Sequence, residues 1–107
     1  MPVDPMKDAN LTRLRRSLAE TYGERLERVV LYGSRARGDH TADSDYDIAV
    51  FLREPGSLFL ELDRLAEIST SILLDTGAII SAKPFPARAY HERTGFMSEL
   101  RKDGVDL

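Results

Sequence analysis

Apolar residues recur at helical spacing in three stretches of the chain, which predicts three amphipathic helices. The first begins at Asn10, a residue type that caps helices, and the second begins after Ser57, another capping residue. The third covers residues 87–103, where Gly95 can split it in two. A glycine follows each stretch, at positions 23, 77 and 104, as is common at helix C-termini. The apolar positions are Leu11, Leu14, Leu18 and Tyr22, then Leu58, Leu62, Leu65, Ile68 and Ile72, then Tyr90, Phe96, Met97 and Leu100.

Shorter apolar and β-branched runs predict three strands, over residues 28–32, 46–52 and 78–83. Pro84 and Pro86 should end the third strand, because proline lacks the N–H that a sheet ladder needs. The predicted order is therefore α-β-β-α-β-α. This order predicts an α+β fold in which a small mixed β-sheet carries helices packed on one face.

Size and charge narrow the class of protein. The 107 residues are expected to form a single minimal domain, 1–107, in which residues 1–8 are a loose arm. The net charge of -3 gives no basic footprint, so no direct nucleic-acid partner is expected, and the absence of cysteine excludes disulfides. No apolar run approaches the ~20 residues of a membrane span, and the N-terminus does not resemble a secretory signal. A cytoplasmic protein without membrane contact is expected.

The residues with the most chemical content lie between the first two predicted strands. The turn Gly33-Ser34-Arg35-Ala36-Arg37-Gly38 follows the first strand, and Ser44-Asp45-Tyr46-Asp47 leads into the second. Because side chains alternate along a strand, Asp45 and Asp47 are expected to point the same way, with Tyr46 on the opposite face. Two adjacent carboxylates repel each other unless a cation lies between them. Oxygen ligands favour Mg²⁺ or Mn²⁺ over Zn²⁺ for that cation.

The glycine-serine turn is the natural partner of this carboxylate pair. Backbone N–H groups and the Ser34 hydroxyl of such a turn can face a phosphate. Arg35 and Arg37 could neutralise further phosphate charge. Phosphoryl or nucleotidyl transfer needs a phosphate cradle beside a metal-binding carboxylate pair. Each half of the motif is common by itself as a turn or a solvated strand end, so only their combination indicates this chemistry.

Gly33-Ser34, ten residues, then Asp45-x-Asp47 resembles the signature of the DNA polymerase β-type nucleotidyltransferase superfamily. With Ala36-Arg37-Gly38 and Ser44 in place, the string is similar to minimal nucleotidyltransferase domains, which often serve as antitoxins in HEPN/MNT toxin–antitoxin pairs. The resemblance implies the polymerase β-type fold. It also implies transfer of AMP or another NMP from a nucleoside triphosphate, with ATP as the expected donor, to a hydroxyl of a HEPN-type toxin or other helical partner.

The same resemblance implies a role for each matching residue. Asp45 and Asp47 are the implied catalytic residues and ligands of Mg²⁺ or Mn²⁺. The implied nucleotide-binding residues are Gly33, Ser34, Arg35, Arg37 and Ser44.

One expected residue is missing from the chain. Catalytic members of the superfamily generally carry a third acid on a later strand, but residues 78–83 contain neither Asp nor Glu. Ser81 or Ile79 occupies the expected place, and Asp75, the nearest acid, precedes the strand at a helix end. A third carboxylate commonly anchors the catalytic metal or accepts the proton of the attacking hydroxyl. The absence of this acid bears on catalysis more than on nucleotide binding.

Two alternatives to transfer onto a partner protein stay open. The first is a non-catalytic antitoxin that keeps a degenerate nucleotide site and neutralises its partner by direct contact, which the missing acid favours. The second is a nucleotidyltransferase that modifies a small molecule such as an aminoglycoside. The larger members have a helical domain that holds the acceptor, and its absence argues against this alternative. A domain this short is expected to work with a partner or a second copy, as a homo- or hetero-oligomer.

Overall fold

The computed structural model describes residues 4–107, without the side chain of Met6, and its elements follow the predicted order with additions. The helices are α1 (Ala9–Tyr22), α2 (Ser34–Arg37), α3 (Leu58–Thr76) and α4 (Gly95–Asp103). The strands are β1 (Leu26–Tyr32), β2 (Tyr46–Leu52), β3 (Ile80–Pro86) and β4 (Val105–Asp106). Short 3-10 turns cover Pro5–Lys7, Gly23–Arg25 and Ala87–His91. The short α2 and β4 are the elements that sequence patterning did not predict.

The strands form one mixed sheet in the order β3-β2-β1-β4, which confirms the predicted α+β class. β1 runs antiparallel to β2 and to β4, whereas β2 and β3 are parallel. Two register pairs matter for function. Asp47 lies opposite Tyr32 of β1 on one side and beside Ser81 of β3 on the other.

The helices cover both faces of the sheet. α1 and α3 pack on one face, as predicted, against Leu31, Ile48 and Val50. Against the prediction of helices on one face only, α4 and the turn before it pack on the opposite face, against Val30, Ala49 and Phe51. The reason lies in β2, where six of the seven residues are buried, so that both of its faces need apolar cover.

The third strand continues through both prolines, so the prediction that they end it is wrong. β3 is an edge strand, and the Ile79 carbonyl accepts a 2.9 Å hydrogen bond from the Tyr46 N–H. Backbone polar groups alternate along a strand, so positions 84 and 86 face away from β2. Proline at positions 84 and 86 therefore removes only N–H groups that point away from the sheet, and sheets tolerate proline at such edge positions.

The start of α1 differs from prediction, whereas Gly23 follows its last residue as predicted. Asp8, rather than Asn10, caps α1, since its Oδ1 accepts hydrogen bonds from the N–H groups of Asn10 (2.8 Å) and Leu11 (3.2 Å). The Tyr46 hydroxyl donates to the other carboxylate oxygen of Asp8 at 2.7 Å. Within the predicted arm 1–8, Pro5–Lys7 form a 3-10 turn that precedes the Asp8 cap, and residues 1–3 lie outside the described residues.

The predicted boundaries of the later helices hold with one change. Ser57 caps α3 and Gly77 ends it in the left-handed region. The stretch 87–103 is divided into a 3-10 turn and α4, and the Thr94 side chain caps α4 just before Gly95. Among residues 4–107, no helix combines the length and the apolar character needed to cross a membrane.

Glu61 on α3 is a buried charged side chain. It pairs with Arg25, accepts a 3.1 Å hydrogen bond from the Gly56 N–H and a 3.2 Å bond from Arg64. Burial alone would raise the pKa of Glu61, but these hydrogen bonds and the two arginine charges together hold that pKa below its usual value. The cluster joins the start of α3 to the segment before β1.

Candidate active site

The turn after β1 places glycine where no other residue fits. Gly33 has φ +76° and ψ -157°, a backbone conformation that residues with a Cβ rarely adopt. A Cβ built on Gly33 would lie only 2.5 Å from Oδ2 of Asp47. The backbone of the turn and the carboxylate of β2 are therefore in direct contact.

Gly33 leads into α2, a single helical turn. The Gly33 carbonyl accepts hydrogen bonds from the N–H groups of Ala36 and Arg37, both at 3.1 Å, and no side chain caps this end of α2. Ser34, half-buried, is the first residue of the turn, next to the Gly33–Asp47 contact. Gly33 and Ser34, both predicted to bind nucleotide, thus lie where a ligand held by Asp45 and Asp47 would also contact the backbone of the turn.

Arg35 and Ser44, both predicted to bind nucleotide, hold the loop between α2 and β2. Arg35 Nε donates a 2.9 Å hydrogen bond to the Ser44 carbonyl, and its guanidinium lies 4.0 Å from the centre of the Tyr46 ring. Ser44 Oγ accepts a 2.9 Å hydrogen bond from the Thr41 N–H. These contacts hold the loop that ends at Asp45, so Arg35 and Ser44 both have a structural role in that loop.

A cavity of about 530 Å³ lies beside this loop, lined in part by Arg35, Ser44 and Gly77. Asp45 and Asp47 are not among its lining residues. The carboxylate pair therefore lies outside this cavity.

The two predicted aspartates differ in environment. Asp45 is exposed at the end of the loop, and Asp47 is half-buried within β2. Tyr46 between them is buried in the core under α1 and α3, as the alternation of side chains requires. Burial raises the pKa of Asp47, and the neighbouring Asp45 charge raises it further, while Lys83 and Arg37 lower it. The two carboxylates thus interact, and two cationic side chains lie near them.

The register of β3 decides which residue occupies the place of the third acid. Ser81 pairs with Asp47, whereas Ile79 precedes the strand and has an exposed side chain. Lys83, two residues further, pairs with Ala49 and so shares the face of Ser81. A serine and a lysine thus border Asp47 where catalytic relatives are expected to carry an acid. Sequence reasoning missed Lys83, although its spacing of two from Ser81 could have indicated it.

Aromatic side chains line the α4 side of this site. The Tyr32 ring meets Phe96 edge to face, with centroids 5.3 Å apart, and Lys83 Nζ lies 6.0 Å from the Phe96 centroid. Burial raises the pKa of the Tyr32 hydroxyl, and the Asp47 charge adds to the shift. Phe96 remains 39% exposed, so an apolar surface adjoins the charged groups.

The carboxylates at this site determine which metal ion it could hold. Within residues 4–107, no three His, Cys, Asp or Glu side chains group as a complete metal site. Asp45 and Asp47 offer hard oxygen ligands whose mutual repulsion a divalent cation would relieve. Mg²⁺ commonly binds through one or two carboxylates and completes its shell with water and substrate phosphates. The residues present therefore fit a magnesium ion shared with a triphosphate.

The structure brings the two halves of the sequence motif together: the Gly33 turn after β1 contacts Asp47 of β2, and Asp45 lies directly before β2. The chain belongs to the nucleotidyltransferase domain family, whose sequence profile matches residues 11–103. This membership confirms the identification made from Gly33-Ser34 and Asp45-x-Asp47.

One relative from Methanocaldococcus jannaschii, named "Putative protein adenylyltransferase MJ0141", is 26% identical over 97 residues, which cover 91% of this chain and 94% of that protein. Two solved structures share the fold. A toxin–antitoxin with AMP-PNP has a TM-score of 0.61 at 16% identity, covering 87% of this chain and 68% of that one. A mutant of the toxin–antitoxin MntA-HpeT has a TM-score of 0.62 at 13% identity, covering 97% and 72%.

Proposed function

We propose that this chain transfers AMP from ATP to a hydroxyl of a partner toxin of the HEPN type, with Mg²⁺ as cofactor. The contact between Asp47 and the Gly33 turn carries the proposal, because it sets a carboxylate beside the segment that would hold a triphosphate. In the reaction the acceptor oxygen bonds to the α-phosphorus, and the bond from that phosphorus to the oxygen bridging to the β-phosphate breaks. Pyrophosphate leaves with the electron pair, and the acceptor proton passes to a base.

Each residue near the contact has a role in this proposal. Asp45 and Asp47 would hold the metal, which supplies charge neutralisation for the triphosphate and the leaving pyrophosphate. Gly33 allows the close approach of the ligand, and Arg37 and Lys83 add positive charge beside Asp47. Arg35 and Ser44 act through the loop, as positioning residues for Asp45.

The isolated chain lacks the acid that would be expected to accept the proton of the acceptor hydroxyl. Ser81 stands where an acid could have taken the acceptor proton, and Lys83 on the same face is a cation. A missing general base commonly costs about 10²–10⁴ in rate. We therefore expect slow transfer by the chain alone and faster transfer when the partner supplies the acceptor and its surroundings.

A second candidate function is that of an antitoxin that binds a nucleotide and neutralises its partner by contact without transfer. The pairing of Asp47 with Ser81, in place of an acid, favours this candidate. The fold shared with toxin–antitoxin structures supports a toxin partner under both candidates.

Mass spectrometry separates the two candidates. The chain is incubated with Mg-ATP and a purified HEPN-type toxin, and the mass of the toxin is measured. We expect a gain of one AMP that the double variant Asp45→Asn/Asp47→Asn abolishes. Asp43→Asn, which removes an exposed charge from the same loop, serves as the matched control. A tight complex without any mass gain would establish the contact antitoxin instead.

A further inference from the structure

The outer side of α3 carries most of the exposed large apolar side chains of the described residues. Phe59 is 88% exposed, and three leucines lie within three residues of it. Soluble proteins rarely expose so many neighbouring apolar groups unless the surface binds something. The exposed members on α3 or directly after it are Leu58, Phe59, Leu60, Leu62, Leu73, Leu74 and Ile79.

Five residues of α3 form a continuous uncharged line, termed here the outer stripe. Their spacing alternates between three and four residues, the pattern with which helices pack side by side. At 100° per residue, they fall within an arc of about 80°. Four of the five are exposed, and the serine is half-buried. The members are Phe59, Leu62, Ala66, Ser69 and Leu73.

Neither α1 nor the sheet covers the outer stripe. α3 meets α1 through Ser71 and Asp75, both of which contact Arg13. Leu65 and Ile72 of α3 point into the core. By helical geometry the stripe lies on the side of α3 away from Ser71 and Asp75, and so beside the edge strand β3.

The adjoining sheet edge favours a helix over a strand as the occupant. A strand that added to β3 would need the outward-facing N–H groups of positions 84 and 86. Both positions are proline, so the ladder would be interrupted twice. A helix that packs along α3 needs no such bonds.

Charge beside the stripe indicates the chemistry of that helix. Asp63 and Glu67, both exposed, lie on the one flank of the stripe that does not lead into the core. If two copies of α3 packed antiparallel about a two-fold axis, this acidic flank would face itself. Like charges at such flanking positions disfavour pairing, whereas opposite charges specify the partner.

We propose that the outer stripe docks an amphipathic helix of a different protein, with Lys or Arg beside its apolar seam. The proposal rests on the proposed function only in that this helix belongs to the partner toxin. Its docking surface is separate from Asp45 and Asp47, so the two can be tested independently.

The test uses the full chain and two synthetic helical peptides of about three heptads each. Both peptides carry leucine at the seam positions, and they differ only in having lysine or glutamate at the flanking positions. Binding is measured by fluorescence anisotropy at concentrations where the peptides are monomeric by ultracentrifugation. We expect the basic peptide to bind at least 10-fold more tightly than the acidic one.

Variants locate the peptide on α3. Phe59→Glu should weaken binding of the basic peptide at least 10-fold. Leu60→Glu, also on α3 and 45% exposed but about 140° around the helix from the centre of the stripe, should change it less than two-fold. The double variant Asp63→Lys/Glu67→Lys should reverse the preference between the two peptides. Equal binding of both peptides, or no loss in Phe59→Glu, would overturn the proposal.

Two further measurements separate this surface from the nucleotide site and from self-association. Asp45→Asn/Asp47→Asn should bind the basic peptide as the wild type does, and Phe59→Glu should still be stabilised by Mg-ATP, which also shows that it folds. Light scattering should find the isolated chain monomeric. A dimer that Phe59→Glu dissociates would mean that a second copy occupies the stripe, contrary to the proposal.

Discussion

The carboxylate of Asp47 packs directly on the backbone of Gly33, with room for a hydrogen but not for a Cβ. This contact joins the two halves of the sequence motif across neighbouring strands. It also makes two demands on position 33 at once, a positive φ and an unobstructed approach.

The first prediction separates these two demands. Gly33→Ala should lose about 1–3 kcal/mol of stability, because a φ of +76° with a ψ of -157° is essentially restricted to glycine, and should also lose Mg-ATP binding, because the new Cβ displaces Asp47. Gly23→Ala is the matched control, since Gly23 has a φ of +54° and a ψ of -126°, also outside the left-handed helical region, but no atom of the described residues within 4 Å of the built Cβ. Denaturant melts and calorimetry with Mg-ATP measure both effects. A folded Gly33→Ala protein that binds Mg-ATP normally would contradict the role assigned to this turn.

The second prediction concerns the carboxylate pair and its metal. Mg-ATP should raise the melting temperature of the wild type, and chelation of the metal should remove that shift. Asp45→Asn/Asp47→Asn should show no shift. Without metal and nucleotide this variant should be as stable as the wild type or more so, because burial and like charge both disfavour the ionised form of Asp47. Equal stabilisation of wild type and double variant by Mg-ATP would refute the site.

The third prediction uses the register of β3. Ser81→Asp should increase transfer from radiolabelled ATP, since position 81 lies beside Asp47 and would supply the missing proton acceptor. Ile79→Asp should not, because position 79 precedes the strand and its side chain is exposed. An increase in Ile79→Asp alone would mean that the reacting groups meet elsewhere than beside Ser81.

The fourth prediction follows from the buried Glu61. Its pKa is lowered in the folded protein from an ordinary value of 4.5, so its contribution is fully present above about pH 4.5 and is lost as the pH falls through the folded pKa. Glu61→Gln should cost about 1–3 kcal/mol at pH 7 and should flatten this acid-side decline. Glu67→Gln, an exposed glutamate of the same helix, should change neither. Urea melts between pH 3 and 7, a range set around the usual carboxylate values, provide the comparison.

Local patterns in the sequence were sufficient for much of this molecule. The 3.6-residue spacing of leucines located α1 and α3, and the strand predicted over 46–52 matched β2 at both ends. The spacing of Gly33-Ser34 from Asp45-x-Asp47 was enough to identify the family. These features depend on neighbours in the chain, so periodicity and motif spacing carry them.

The tertiary structure decided what depends on pairing between distant segments. Pro84 and Pro86 were compatible with a strand only because β3 lies at the edge of the sheet. The parallel register of β2 and β3 placed Ser81, rather than Ile79, beside Asp47, and it placed Lys83 on the same face as Ser81. Likewise, the apolar residues 48–52 of β2 required cover on both faces of the strand, but which helix supplied the second cover was set by packing. A hydrophobic pattern states that a face is buried, whereas the partner that buries it is determined only when the whole chain has folded.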